Sequence, residues 1–204
     1  MKKLYVVLFA VLTVVFFSSQ IFAQWVQKQN LPGSSRSFSN GFSINNKAYI
    51  VGGGDGNGTL FDDVWSYNPS TNVWTQQANF PGGFRASSVA FTIGSKAYLG
   101  TGVNGGAYLD DFWEYDPIAD SWLQKATFPG GAREEAVGFS LDNKGYVGTG
   151  QIFITGPNSS FTSSFNDFYE YNPINDTWVQ KANVPGPERA YAVGGSIGNK
   201  GYIG

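Results

Sequence analysis

WTQQANFPGGFRASSVAFTIGSKAYLGTG (residues 74–102) and LDDFWEYDPIADS (residues 109–121) belong to one copy of a unit that the chain repeats three times in full and a fourth time in part. The tryptophans that open the copies lie 49, 48 and 56 residues apart. Every copy also carries the same basic landmarks, which are an arginine (Arg36, Arg85, Arg133, Arg189) and a lysine (Lys47, Lys96, Lys144, Lys200). A period near fifty residues predicts a propeller array.

Each copy contains four short stretches with the pattern of β-strands. The first stretch ends in a two-residue turn such as Asn45-Asn46, whose residues tolerate positive φ. The third alternates its side chains, so Trp65 and Tyr67 share a face, and it stops at Asn68-Pro69, which sets up a turn. The first strands are expected at residues 39–44, 89–93, 137–141 and 193–197. Together these features predict an all-β fold of radially stacked, four-stranded blades.

The composition excludes several kinds of chemistry. The chain has no cysteine and no histidine, so disulfides, thiolate nucleophiles, a histidine base and most zinc or copper sites are excluded. We therefore expect no cofactor, no metal site and no catalytic residue that this sequence identifies. Its 15 acidic residues outnumber 13 basic ones, which is the wrong balance for wrapping nucleic acid.

The N-terminal 23 residues have the layout of a signal peptide. Lys2 and Lys3 precede an apolar run over residues 4–17, and a small residue, Ala23, closes the segment. The run is short for a membrane span, although an uncleaved anchor is the alternative. The sequence thus predicts an exported protein, whether periplasmic, cell-surface or extracellular, with no membrane span after cleavage.

The repeat resembles the kelch-repeat β-propellers. In that family an apolar strand ends in Gly-Gly, as at Gly52-Gly53, and a tyrosine and a tryptophan follow with six residues between them. Three pairs have this spacing: Tyr67/Trp74, Tyr115/Trp122 and Tyr171/Trp178. Later copies depart from the doublet, since they read Thr101-Gly102 and Thr149-Gly150. The resemblance covers residues 24–204, with copies that begin at Trp25, Trp74, Trp122 and Trp178.

The resemblance implies a partial propeller of three full blades plus flanking strands. Members of the family close their ring by pairing the two chain ends in one blade. The segment at Trp25 corresponds to a fourth strand, which is the strand that an N-terminus contributes to such a blade. Three and a half copies are too few to close, so we expect a truncated chain whose remaining blades are missing. A partial ring completed by dimerisation is the alternative.

The connections between second and third strands carry most of the variation between copies. They share a face of the propeller with the connections that enter the first strands. The copy at residues 151–165 reads QIFITGPNSSFTSSF and is eight residues longer than its counterpart at 103–109. We predict an irregular loop in which Phe153 and Phe161, with Phe165, contact a ligand. A flexible insertion without a role is the alternative.

The four recurrent arginines are candidate ligand residues on the same face. A guanidinium recognises carboxylate or phosphate groups. The favoured alternative is structural, in which each arginine pairs with a carboxylate or carbonyls of a neighbouring blade. Only the third copy adds two carboxylates beside its arginine, Glu134 and Glu135. One of these is expected to face the channel and contact the ligand, because neighbours on a strand point oppositely.

Three functions fit these features. The first is a secreted recognition scaffold that binds a protein or glycan partner on the loop-rich face, and the residues favour such a binding protein over an enzyme. The second, implied by the resemblance, is a sialic-acid mutarotase-like carbohydrate epimerase. Copper-dependent galactose oxidases are excluded because their site needs histidine and cysteine. The third is a structural repeat module of a larger surface protein.

Overall fold

The structure is a computed structural model that describes residues 25–157 and 159–204. The predicted signal peptide at 1–23 lies outside the described residues. Three four-stranded antiparallel sheets form the blades. Blade 1 contains β1 (Asn40–Ile44), β2 (Lys47–Val51), β3 (Val64–Asn68) and β4 (Val73–Gln77). Blade 2 contains β5 (Val89–Ile93), β6 (Lys96–Gly100), β9 (Phe112–Asp116) and β10 (Ser121–Lys125). Blade 3 contains β11 (Val137–Leu141), β12 (Lys144–Gly148), β15 (Phe168–Asn172) and β16 (Thr177–Gln180).

Three two-stranded hairpins accompany the blades. Two of them lie in the connections between second and third strands: β7 (Val103–Asn104) with β8 (Ala107–Tyr108), and β13 (Gln151–Thr155) with β14 (Ser160–Ser164). The third hairpin, β17 (Gly194–Ile197) with β18 (Lys200–Ile203), corresponds to the first two strands of a fourth blade. In the part of the chain that the structure describes, no helix is long and apolar enough to span a membrane.

Turn chemistry sets the strand ends as the sequence predicts. At Asn45-Asn46 and Asp142-Asn143 both residues have positive φ, which is the geometry of a type I′ hairpin turn. At the end of β3 the Asn68 side chain accepts a hydrogen bond from the Ser70 amide at 2.9 Å. Gly52 and Thr101 have φ of 62° and 58°, so the threonine that departs from the family doublet adopts the backbone conformation of the glycine it replaces.

The blades stack radially with their first strands innermost, since β1 packs against β5, β5 against β11 and β11 against β17. The core lies between blades. Phe42 and Tyr49 of blade 1 pack against Tyr115 of blade 2, and Phe91 and Tyr98 of blade 2 occupy the same place against Tyr171 of blade 3. Edge-to-face contacts, such as Phe80 with Trp122 at 4.8 Å between ring centroids, seal these interfaces.

A repeated polar contact also joins neighbouring blades, and we call it the Asx–Trp clamp. Asp120 of blade 2 accepts a hydrogen bond from the Ala78 amide at 3.0 Å, while Trp122 Nε1 donates to the Ala78 carbonyl at 3.3 Å. The Tyr115 hydroxyl donates to the same carboxylate at 2.7 Å. Equivalent clamps hold Gln29 (by Asn72 and Trp74) and Ala126 (by Asp176 and Trp178). The clamp explains why the tyrosine and tryptophan keep a constant spacing.

Candidate functional site

The variable connections lie together on one face, as predicted. Backbone hydrogen bonds link them across blades: Arg85 N donates to Phe61 O at 3.2 Å, and Arg133 N donates to Leu109 O at 3.2 Å. The residue two positions after each arginine has positive φ, and in the last three copies its amide bonds to the same position of the preceding blade. These bonds run from Ser87 N to Phe38 O, from Glu135 N to Ser87 O and from Tyr191 N to Glu135 O. The loop-rich face therefore rests on a rigid network around the axis.

The first three recurrent arginines are buried ion-pair partners. Arg85 Nη1 and Nη2 donate to the two carboxylate oxygens of Asp111, each at 2.8 Å, and Nη1 also reaches Thr101 O at 3.1 Å. The Arg85 side chain is only 1% exposed. The same contacts recur in Arg36–Asp63 and Arg133–Asp167. Each aspartate directly precedes the third strand of the arginine's own blade, which corrects the expectation of a partner in a neighbouring blade.

Aromatic rings cover the same guanidinium groups. Arg133 lies 4.0 Å from the centroid of Phe165 and 5.0 Å from that of Phe128. Arg36 and Arg85 stack in the same way on Phe61 and Phe80. These three arginines are therefore bonded to the protein rather than presented to a ligand, and Phe165 serves Arg133 rather than a contact surface.

Arg189 of the fourth copy has different partners. Its Nη2 donates to Pro185 O at 2.8 Å and its Nε to Pro187 O at 3.2 Å. The side chain is half-buried, so it is more accessible than the other three. Even so, these bonds aim its guanidinium at the loop that precedes it.

Residues 151–155 and 160–164 pair as an antiparallel hairpin, which corrects the expectation of an irregular loop. In the β13–β14 register Phe153 lies opposite Thr162, and Ile154 lies opposite Phe161. Phe153 is 51% exposed and Phe161 55% exposed, as the contact hypothesis requires. Because Phe153 and Phe161 belong to different register faces, the hairpin exposes apolar groups on both sides.

Neighbouring hairpins support each other. The Tyr108 hydroxyl, at the end of β8, accepts a hydrogen bond from the Phe153 amide at 2.8 Å. This bond fixes β13 against the shorter β7–β8 hairpin of blade 2.

Glu134 lies at the base of the long hairpin. It forms an antiparallel bridge with Gln151, with both backbone bonds at 2.9 Å. The Gln151 amide Nε2 lies 3.5 Å from Glu134 Oε1 and 3.2 Å from the Tyr191 hydroxyl. Burial raises the pKa of Glu134, and the nearby charge of Glu135 raises it further, against the bond from Gln151. Glu135 itself contributes its backbone to the inter-blade network.

Glu134, Gln151, Phe153 and Tyr191 form the candidate site, which we call the rim stripe. Glu134 and Phe153 are sequence-predicted residues that the structure brings together. Gln151 and Tyr191 were missed, although both differ from their counterparts, Val103 and Glu135, in the preceding copy. Comparison between copies is the signal that identifies them.

The described ranges contain no cluster of three or more carboxylate, cysteine or histidine side chains able to hold a metal. The glycine-rich segment at 55–59 is a capped turn, because Asp55 Oδ1 accepts hydrogen bonds from the Asn57 and Thr59 amides, each at 2.9 Å. These bonds lower the pKa of Asp55.

Comparisons with known proteins agree with this architecture. A family model described as "KLHDC2/KLHL20/DRC7 Kelch-repeats domain" matches residues 11–203. Among solved structures, one titled "Structure of YjhT" aligns with a TM-score of 0.69 and 21% sequence identity. That alignment covers 84% of this chain and 59% of the other, so this chain spans less than two thirds of the structure that it matches. At this identity the likeness shows the fold alone. No curated protein matches the chain significantly.

Proposed function

The chain belongs to the kelch-repeat family, and from that premise we propose that it is a recognition scaffold that binds a partner protein through its loop-rich face. One observation carries the proposal: the β13–β14 hairpin projects from a rigid blade and exposes Phe153, Ile154 and Phe161. Large exposed apolar side chains grouped on one element are typical of partner contacts.

A protein partner fits this surface better than a glycan does. The hairpin exposes Phe153 on one face and Ile154 with Phe161 on the other, and such a protruding element suits insertion into a groove of another protein. Small-molecule and sugar ligands are usually held in concave sites with convergent polar groups. Export by way of residues 1–23 belongs to the same proposal, as does a periplasmic, cell-surface or extracellular location.

The mutarotase-like alternative depends on cations that could hold an acidic sugar. Arg36, Arg85 and Arg133 are bonded to aspartates of their own blades, so this requirement rests on Arg189 alone among the recurrent arginines. Following anomer exchange of sialic acid by NMR tests this activity directly, and acceleration over buffer would favour it. The structural-module alternative predicts that no partner depends on the hairpin.

The proposal is tested by substituting the hairpin residues. Full-length protein is screened against a peptide-display library and a glycan array, and the hits are measured with Phe153→Ser and Phe161→Ser. We expect each substitution to weaken binding about tenfold, as for aromatic residues at the centre of an interface.

Ile118→Ser and Ile174→Ser are the matched controls. These isoleucines are 84% and 94% exposed and lie in the turns that follow the third strands, on the opposite face. Hits that are weakened equally by the control substitutions would contradict the proposal. Hits confined to the glycan array, but still dependent on Phe153, would replace the protein partner by a glycan.

A further inference from the structure

The rim stripe presents its side chains on one side of the hairpin. Glu134 and Gln151 lie directly opposite each other in an antiparallel bridge, and opposite residues of such a pair project to the same side. Gln151 and Phe153 are two residues apart on β13, so they also share a side. The bond from Gln151 to the Tyr191 hydroxyl brings the Tyr191 ring, which is 64% exposed, to the same end.

The recurrent arginines suggest a positively charged surface, but the rim stripe carries negative charge. Arg133, the residue before Glu134, is paired with Asp167 and has a fully buried side chain. Arg189 points its guanidinium at the carbonyls of Pro185 and Pro187. Glu134 and Glu135 are both partly exposed, and neither takes part in an ion pair among the described residues. The polar end of the stripe is therefore anionic.

Phe153 forms the apolar end of the rim stripe, at a fixed distance from the carboxylate of Glu134. Two residues of β-strand span about 6.5–7 Å, which separates Phe153 from the level of Gln151 and Glu134. An extended segment of another protein has the same repeat, because its side chains at i and i+2 also share a side. The tyrosine ring beside the carboxylates adds a face on which a cation can stack.

We propose that the rim stripe binds an extended segment of a partner protein in which a lysine or arginine lies two residues from a large apolar side chain. The cationic side chain contacts Glu134 beside Tyr191, the charge of the neighbouring Glu135 adds to the attraction, and the apolar side chain packs on Phe153. The inference rests on the proposed function, and it specifies the chemistry of the partner.

Two synthetic peptides test the inference on the full-length protein. They are Ser-Gly-Arg-Ser-Phe-Gly-Ser and its counterpart with glutamate in place of arginine, each titrated by NMR and by fluorescence anisotropy at low and high salt. We expect the arginine peptide to bind at least about tenfold more tightly, and raised salt to reduce that difference. A peptide-display selection should enrich the same basic and apolar pattern.

Variants locate the contact. Glu134→Gln and Glu135→Gln are each expected to weaken the arginine peptide about two- to fivefold, as for exposed charge pairs. Asp142→Asn is the matched control, because it removes one charge from an exposed turn on the opposite face, where asparagine tolerates the same backbone conformation. Melting curves show whether each variant is folded. If Glu134→Gln does not fold, Glu135→Gln alone tests the contribution of the carboxylates to peptide binding.

The outcomes separate this inference from the function on which it rests. Enrichment of acidic or uncharged peptides that still depend on Phe153 would overturn the cationic partner and leave the scaffold intact. Peptides that depend on neither Phe153 nor Glu134 would overturn both. Failure to enrich any peptide, or equal binding of the two synthetic peptides, would overturn the inference, and the glycan array would then decide the proposed function.

Discussion

The arginine that recurs in every copy is, at three of its four positions, a cross-link within its own blade. It joins the segment before the first strand to the residue before the third, as Arg133 does with Asp167. A buried ion pair is costly to desolvate, so its two partners depend on each other more than surface pairs do. At the scale of single residues, then, the most regular charge in the sequence is structural.

Arg133→Met is expected to destabilise the protein by about 3 kcal/mol, because it leaves Asp167 without its partner. The measurement is the free energy of unfolding in urea. Arg189→Met is the matched control and should cost less than about 1 kcal/mol, since among the described residues that side chain bonds to carbonyls of its own loop and to no carboxylate. Equal losses in the two variants would contradict the cross-link.

Glu170 of blade 3 predicts a pH dependence of stability. Burial alone would raise the pKa of Glu170, but hydrogen bonds from Lys144, Lys181 and Tyr146 outweigh it and lower the pKa to about 2. A pKa below the ordinary value means that the carboxylate stabilises the fold at neutral pH. That contribution is fully present above about pH 4.5 and is lost as the pH falls towards 2.

Glu170→Gln should therefore lower the melting temperature at pH 7, and the curves of variant and wild type should converge near pH 2. Melting followed by circular dichroism between pH 7 and pH 2 measures this. Glu188→Gln, an exposed counterpart, should leave the curve unchanged. A constant offset between Glu170→Gln and wild type over the whole range would refute the prediction.

At the scale of elements, the Asx–Trp clamp couples one blade to the next. Its acceptor sits at positive φ in the turn between third and fourth strands, as Asp120 does at 48°. Asparagine and aspartate tolerate that conformation better than most residues. The turn thus serves both strand reversal and blade association.

Asp120→Gly tests the clamp, because glycine keeps the backbone conformation and removes the acceptor. We expect a loss of about 2 kcal/mol, since the Ala78 amide and the Tyr115 hydroxyl lose a charged partner. Asp120→Asn is the matched control and should retain most of the stability, because Asn72 holds the equivalent position of blade 1. Urea unfolding gives both values. Similar losses for glycine and asparagine would contradict the role of the acceptor.

At the scale of the whole molecule, the scaffold and the recognition surface are separable. Blade 2 reaches its third strand through the short β7–β8 hairpin, and blade 3 does so through the longer β13–β14 hairpin. Both connections keep the same inter-blade backbone bonds at their ends, from Gly102 N to Arg133 O and from Gly150 N to Arg189 O. Length added between these anchors costs little.

Replacing residues 151–164 by VNGGAY, the sequence of 103–108, should preserve the fold and abolish partner binding. Phe165 is retained because its ring covers Arg133. Differential scanning calorimetry should show a melting temperature within about 3 °C of wild type, which corresponds to less than about 1 kcal/mol at this size. Retained binding of a partner selected on the wild-type protein would show that the hairpin is not the contact.

The sequence alone determined the all-β class, the kelch-type blades, the turn residues and the face on which the connections vary. These features repeat along the chain. They can be recognised from the sequence because each copy must form the same turns and bury the same aromatic residues. The exposed phenylalanines Phe153 and Phe161 could be predicted for a related reason, since they interrupt the pattern of the copies.

Only the tertiary structure decided which atoms meet. The partner of Arg133 lies 34 residues away in its own blade, and local pattern does not distinguish that carboxylate from one in a neighbouring blade. The position of β13 likewise involves a hydrogen bond from the Phe153 amide to the Tyr108 hydroxyl, 45 residues distant. The anionic character of the rim stripe is also a tertiary property. The buried arginines are paired with aspartates, whereas Glu134 and Glu135 are partly exposed and have no basic partner among the described residues.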